Sequence, residues 1–422
     1  MNNHPIVVVG AGSAGLMASI AASKNGAKVI LIDKGDKLGR KLGISGGGRC
    51  NVTNAKETDE LIKNIPGNGR YLYSALSQFG NTDIIHFFES LGIKLKEEDN
   101  GRMFPISDKA KTVVDTLVNQ VKAQGVTIMT NSPVAKVLYN NGAACGVLLK
   151  NGQSIAASAV IVAVGGKSVP KTGSTGDGYP WAIEAGHTIT DLFPTEVPLT
   201  SQEPFIIDRQ LQGLSLRDVT LSIWNEKEKK LISHEGDMIF THFGLSGPIA
   251  LRCSQFVVKQ LKKNPASSHV LATIDLFPQQ TIQDVFDLTY ELAGNEPKKA
   301  MKNVLKAVVP DRLLPLIFTM ANIEDDITYD HINKQKWQQL AILLKALPVN
   351  VNGTLSIEDA FVTGGGVHLK EIEPKTMESK LTERLFFCGE ILDIHGYTGG
   401  YNITAAFSTG HAAGTSAAQL YS

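Results

Sequence analysis

The 422-residue sequence predicts an α/β protein in which a dinucleotide-binding unit opens the chain and the C-terminal end completes it, with a domain of mixed β and helical texture between. Three stretches carry this expectation. "PIVVVGAGSAG", Pro5 to Gly15, passes from a buried strand through closely spaced glycines into a helix. "LFFCGEIL", Leu385 to Leu392, is another buried strand ending in glycine, and a helix of small residues follows it from Tyr401. From about Phe193 prolines and alternating apolar residues replace the βα texture. Length agrees, because a single core stops growing at about 250–300 residues.

In chain order, Pro5 to Val9 is expected as a strand, Ser13 to Asn25 as a helix and "AKVILIDK" as a second buried strand, which makes a βαβ unit. Helical patterns follow over residues 71–91, and Asp108 to Gln124 reads as an amphipathic helix that stops near Gly125. The runs "VTIMT", "VAKVLY", "GVLLK" and "SIAAS" are split by Asn-Asn-Gly at 140–142 and Asn-Gly at 151–152. Such dipeptides favour tight hairpins, so a small antiparallel meander is expected, followed by "AVIVAVGG" as a strand buried on both faces. "DVTLSIWNEKEKKLISHEGDMIFT" reads as two strands around a solvated charged tip, and Thr281 to Leu347 as amphipathic helices. The expected boundaries are 1–193 and 361–422 for the dinucleotide domain, 194–275 and 349–360 for a β-rich middle domain, and 276–348 for a helical insert.

Composition narrows the function. Lys+Arg and Asp+Glu are equal at 41 each, so the chain has no net basic charge to attract nucleic acid or an anionic membrane, and neither is expected as a partner. No run approaches the roughly 18 apolar residues of a membrane helix. The four cysteines, Cys50, Cys145, Cys253 and Cys388, lie far apart without metal-ligand or C-x-x-C spacing, which fits reduced thiols, a cytoplasmic location and no metal. Nothing in the sequence sets an oligomeric state.

Gly10, Gly12 and Gly15 have G-x-G-x-x-G spacing between a predicted strand and helix, and Asp33 closes the next strand. Glycines there allow a tight turn and close backbone approach. The helix N-terminus offers free N–H groups to a pyrophosphate, and the carboxylate can accept a ribose hydroxyl. "GRKLGISGGGRCNVTN", Gly39 to Asn54, is the other dense glycine stretch. No second G-x-G-x-x-G unit is found, so a resident NAD(P)H domain is not expected.

The chain resembles the flavoproteins called NAD(P)/FAD-dependent oxidoreductases, aminoacetone-oxidase-like or BaiN-like, of the glutathione-reductase-type FAD superfamily. "VVGAGSAGLMAS", "GRKLGISGGGRCNVTN", "NGRMFPISDKA", "THFGLSGP" and "FVTGGGVHLKEIEPKTMESK" with "CGEILDIHGYTGGYNITAAFSTG" carry the resemblance. It implies a Rossmann-type FAD-binding domain formed by both chain ends, an inserted β-barrel-like domain and a helical subdomain. A cofactor held by both chain ends is long, which together with the resemblance favours FAD over NAD.

The resemblance implies that Gly10, Gly12, Ser13, Ala14 and Gly15 cradle the pyrophosphate, that Asp33 and Lys34 meet the adenosine ribose, and that Val134 offers backbone to the adenine. Ala163 and Gly165 lead a loop over the adenosine end. Gly389 and Glu390 match an element whose acid holds the ribitol, and Gly399, Gly400, Tyr401 and Asn402 place a helix N-terminus at the flavin edge. In the glycine-rich stretch, Gly46 and Gly47 let backbone approach the flavin ring, and Arg40, Lys41 and Arg49 answer phosphates or a substrate anion. Cys50 and Asn51 lie beside the ring, Cys50 as a small packing residue. No histidine lies between His4 and His86, so the FAD is expected to be non-covalent.

Arg102, His395 and Tyr397 are the catalytic candidates, the first for a substrate carboxylate or carbonyl and the others for proton transfer. The expected activity is hydride transfer between flavin and a small or medium organic substrate, fed by transient NAD(P)H, as in a reductase of an activated C=C bond. An O₂-using oxidase of a small amine or amino ketone such as aminoacetone is the alternative. A flavin-binding module acting through protein or tRNA partners is the reading of another class.

Overall fold

The computed structural model describes residues 4–421 and divides into two units, residues 1–193 with 357–422, and residues 194–356. No helix among the described residues is long and apolar enough to cross a membrane.

The first unit is built on a five-stranded parallel sheet. Its order is Leu385–Phe387, Ala159–Val162, Ile6–Val9, Val29–Ile32 and Thr127–Met129. The sequences IVVV and AVIV are buried at every position, as expected for strands covered on both faces. Helix Ser13–Lys24 returns the first strand to the second. The run "VTIMT" does not join the meander: Thr127–Met129 is the edge strand of the parallel sheet, in register with Ile30–Ile32. Only three residues long and partly exposed, it carries too little pattern to separate a sheet edge from a hairpin arm. The meander itself has three strands, Val134–Asn140, Ala143–Leu149 and Ser154–Ala156. Asn141 and Gly142 both take positive φ at its first turn, the conformation that matches the twist of paired strands.

The C-terminal helix Tyr401–Tyr421 packs on helix Ser13–Lys24 through backbone. A Cβ at Gly410 would lie 2.3 Å from the Ala14 carbonyl oxygen, and one at Gly414 would lie 2.1 Å from that of Ala18. Contacts of 14 with 410 and 18 with 414 mean that the helices run in the same direction.

In the second unit a seven-stranded antiparallel sheet runs Leu347–Val351, Val270–Asp275, Ser215–Trp224, Lys230–Phe240, Gly244–Ser246, Leu199–Thr200 and Gly353–Thr354. Only Asn352 separates the two edge strands in sequence, so the sheet must curl to bring its edges together. Helices Ile282–Gly294, Leu314–Met320 and Lys334–Lys345 share one apolar core with it, where Phe318, Trp337 and Leu340 meet Ile274 and Val349. Thr281 caps the first of these with a reciprocal box: its hydroxyl accepts from the Asp284 amide at 3.1 Å and its amide donates to Asp284 at 2.8 Å.

A Ser-His-Glu arrangement in the first unit is a staple. His187 Nε2 lies 2.7 Å from Ser379 Oγ, and Nδ1 lies 3.1 Å from Glu371 Oε2. Ser379 is buried, and its oxygen also accepts from the amides of Leu381 and Thr382 at 3.1 and 2.9 Å. Its lone pairs are engaged, so its proton goes to the imidazole and no nucleophile is exposed. Burial lowers the His187 pKa, against the opposing pull of Glu371.

Two outcomes follow from this packing. Gly414→Val should destabilise the protein by about 3 kcal/mol, read as a lower urea midpoint, because backbone rather than a side-chain tip must move. Since the folded pKa of His187 is depressed, its stabilising contribution is complete above about pH 6.5 and is lost as pH falls from there towards the folded pKa. The stability gap between wild type and His187→Leu should therefore narrow on going from about pH 7.5 to about pH 5.5. A constant gap would mean that the imidazole has the same pKa in the folded and unfolded states.

Candidate functional site

The turn after the first strand divides its glycines between two tasks. Gly10 has φ +99° and an added Cβ would lie 2.5 Å from the Ala163 oxygen, while a Cβ at Gly15 would lie 1.7 Å from the Gly10 oxygen. Both are close-packing positions. Gly12 is different: its φ is −78°, and a Cβ there would meet no protein atom within 4 Å. It caps a helix that has no side-chain cap and no acidic residue in its first turn, so the amides from Ser13 and the buried Ala14 onward face an anion subsite of bare backbone.

Asp33, at the end of the neighbouring strand, braces this turn. Its Oδ2 accepts from the Ala11 amide at 2.8 Å and its Oδ1 from the Gly35 amide at 2.7 Å. Lys34 turns to Thr175 and to Asp177, 2.5 Å away, and so ties down the loop that follows Ala163 and Gly165. Val134 is buried at the start of the meander, two residues past Ser132, whose amide binds the Asp33 carbonyl at 2.9 Å.

The glycine-rich stretch begins where the Gly39 amide donates to the Ala11 carbonyl at 2.8 Å. A short helix from Arg40 breaks at Ser45, and Gly46, Gly47 and Gly48 then take φ of +56°, +67° and +85°. Three left-handed residues in succession explain the glycines. Phe104 lies under them, 3.2 Å from where a Gly46 Cβ would be.

The three basic side chains of the stretch, expected from the sequence to answer phosphates or a substrate anion, are each paired with protein carboxylates. Arg40 pairs with Asp36. Arg49 binds Glu98 and Asp108, the latter at 2.6 Å, and stacks on Phe104 at 4.3 Å. Lys41 reaches Glu390 at 2.7 Å. Half-buried cations need compensation, and Glu98, Asp108 and Glu390 are too distant in sequence for spacing to reveal them. Cys50 is fully buried, and burial pushes its thiol up to about 12, so it is a protonated packing residue. Asn51 accepts from the Met103 amide at 3.1 Å.

The C-terminal segment closes the site. Gly389 has φ +78°, and an added Cβ there would lie 2.8 Å from the Ala14 Cβ. Glu390 Oε1 accepts from the Thr363 amide at 2.8 Å and the Ser168 hydroxyl at 3.0 Å, and Oε2 accepts from Lys41. Burial alone would raise its pKa, but Lys41 and the other donors outweigh this and hold the carboxyl below the usual carboxylate range. Sequence reading missed Ser168 and Thr363; their only signal was a position among glycines, in "VGGKS" and "VTGGG".

Before the last helix, Gly399 and Gly400 take φ of +128° and +96°, and a Gly400 Cβ would lie 2.6 Å from the Thr53 oxygen. Asn402 faces back: its side chain accepts from the Gly396 amide and donates to the Gly396 carbonyl, both at 2.8 Å. His395 pairs with the Gly67 backbone, its ring lies against Gly67, and Phe193 meets it edge-on at 5.3 Å. The Tyr397 amide donates to the Asn64 carbonyl at 3.0 Å. His395 and Tyr397 thus sit on a rigid turn. Arg102 pairs through its backbone with Asn54, whose side chain binds the Gly399 carbonyl at 3.0 Å, and its own side chain donates to the Asp99 carbonyl at 3.0 Å with the guanidinium 5.7 Å from the Phe104 ring.

Because Gly410 lies level with Ala14, the last helix overhangs the first by about 12 Å at 1.5 Å per residue. Two helix N-termini therefore point the same way, one at the Gly12 turn and one about 12 Å further along. This spacing suits a dinucleotide that extends well beyond its pyrophosphate, and a flavin dinucleotide fits it.

Comparison with known proteins agrees. The family model described as "HI0933-like protein Rossmann domain" matches residues 4–416. The chain is 32% identical over 408 residues to a ribosomal RNA dihydrouridine synthase of Haemophilus influenzae, covering 96% of each chain. It is 28% identical over 431 residues to a 3-dehydro-bile acid delta(4,6)-reductase of Clostridium scindens, covering 98% of this chain and 99% of that one. Among solved structures, a flavocytochrome c3 fumarate reductase superposes with a TM-score of 0.53 at 21% identity, covering 99% of this chain and 78% of that one. A 3-ketosteroid delta1-dehydrogenase of Sterolibacterium denitrificans gives 0.54 at 14% identity, covering 99% and 100%.

Gly12→Val should fold, and once flavin is stripped from both should melt close to wild type, since its φ is ordinary and its Cβ meets no protein atom, yet it should purify without bound flavin. Retention of the yellow colour would move the pyrophosphate away from this turn.

Proposed function

The chain belongs to the HI0933-like family of FAD-binding Rossmann flavoproteins, and from that premise we propose that it reduces a carbon–carbon double bond conjugated to a carbonyl, with NAD(P)H as a transient reductant. As a member it is an FAD-dependent oxidoreductase. The observation that carries the finer reading is the chemistry common to two differently named relatives. Saturating uridine and reducing the delta(4,6) bonds of a 3-dehydro-bile acid both add hydrogen across a C=C bond activated by a carbonyl.

Bound FAD supplies two-electron transfer at N5. The helix N-terminus at Tyr401 favours negative charge at the flavin edge, which supports the reduced cofactor. Hydride addition to an enone also needs a proton at the neighbouring carbon. The His395 ring is packed against Gly67 and Phe193, so we assign the proton donor to the Tyr397 hydroxyl on the same turn. No second dinucleotide fingerprint exists in the sequence, which is why NAD(P)H is read as a visitor.

A ribosomal RNA uridine is the second reading, favoured by the 32% and 31% identities to dihydrouridine synthases of Haemophilus influenzae and Escherichia coli. The balanced charge, which spoke against nucleic acid, is weaker ground than that full-length similarity.

Anaerobic NADPH or NADH should bleach the flavin, and one acceptor should restore it: a steroid 4,6-dien-3-one or a uridine-containing ribosomal RNA fragment. Mass spectrometry of the acceptor should show the gain of two hydrogens. H₂O₂ production from aminoacetone in air, with no saturated product from either acceptor, would replace the reductase reading with an oxidase. Tyr397→Phe should slow product formation about 100-fold while retaining flavin.

A further inference from the structure

We propose that Glu390 acts on the cofactor through Lys41: the carboxylate positions the ammonium, and it is Lys41 that donates to the ribityl arm of FAD. This rests on the FAD reading of the site.

Position comes first. Ligands of parallel sheets lie across the C-terminal strand ends. Asp33 follows Val29–Ile32 on one side of the central strand Ile6–Val9, and Glu390 follows Leu385–Phe387 two strands away on the other. Two interstrand spacings put the Glu390 backbone about 10 Å past the strand whose turn carries Gly12, and its carboxylate reaches back to Ser168 in the loop after Ala159–Val162, still on the flavin side. A polyol crosses there, and its hydroxyl oxygens are acceptors for an ammonium.

Donor and acceptor capacity comes next. Glu390 Oε1 already accepts from Thr363 and Ser168, and Oε2 from Lys41 at 2.7 Å; the side chain is 19% exposed. Lys41 Nζ carries three protons. Among the described residues it has two acceptors, Glu390 Oε2 and Ser168 Oγ, both at 2.7 Å, and its side chain is 28% exposed. The ammonium therefore has a proton to give, whereas the carboxylate is nearly saturated. Thr363 reinforces the arrangement, since its Oγ1 accepts from the amides of Lys167 and Ser168 at 2.9 and 3.0 Å. The pair thus sits in a frame contributed by four separate chain segments.

The test measures FAD release on dilution of the holoenzyme, by flavin fluorescence, with ADP as a competing probe, in wild type, Lys41→Met, Glu390→Gln and the double variant. Lys41→Met should weaken FAD about tenfold and leave the ADP inhibition constant within about twofold, because ADP lacks the ribityl arm. Glu390→Gln should weaken FAD by less, and should add nothing in the Lys41→Met background. Equal loss from Glu390→Gln in both backgrounds would mean that the carboxylate itself touches the cofactor. Parallel loss of ADP and FAD in Lys41→Met would mean a phosphate contact. Either result overturns the proposal. Should the single variants melt early, the exchanged pair Lys41→Glu with Glu390→Lys keeps the salt bridge. It should restore stability and ADP competition without FAD affinity, and full FAD affinity in it would also overturn the assignment.

Discussion

The first unit depends on a backbone contact between two helices made of small residues. Gly410 and Gly414 let the last helix lie directly on the Ala14 and Ala18 carbonyls of the first, a closeness that any side chain would prevent. That contact fixes the register of the two chain ends. It also sets the offset between two helix N-termini, and hence the distance between two places of fixed partial positive charge. Gly389 passing over Ala14, and Gly400 over Thr53, are further close approaches in the same frame.

Electrostatics in the site follows from how its cations are used. Arg40, Lys41 and Arg49 each meet a carboxylate of the protein, so the positive field at the Gly12 turn comes mainly from oriented amides. Fixed dipoles need no side-chain ordering when the ligand arrives. The charged side chains meanwhile hold the frame: Arg49 joins the glycine turn to the hairpin of Glu98 and Asp108, and Lys41 joins it to Glu390.

Much of this was legible in the sequence where the signal is local. The strand–GAGSAG–helix run states its own geometry, because the φ of Gly10 and the close packing of Gly15 admit only glycine. The hairpin at Asn141–Gly142 was readable for the same reason. What spacing could not carry was partnership across the chain. Arg49 meets Asp108 and Lys41 meets Glu390 through tertiary folding alone, so the sequence displays these cations without the carboxylates that hold them. Thr127–Met129 was misplaced because alternation over three residues fits an edge strand and a hairpin arm equally well. Ser168 and Thr363 act as donors and acceptors to a buried carboxylate, work that many small polar residues can do and no motif marks.

The second unit is entered through Leu199–Thr200 and left through Gly353–Thr354, and these strands pair with each other. A module whose way in and way out are neighbours behaves as a cassette: its length and contents can change while the strand ends of the parallel sheet stay where they are. Such a chain can change one unit at a time, the inserted one varying while the parallel sheet and its glycine turns are kept.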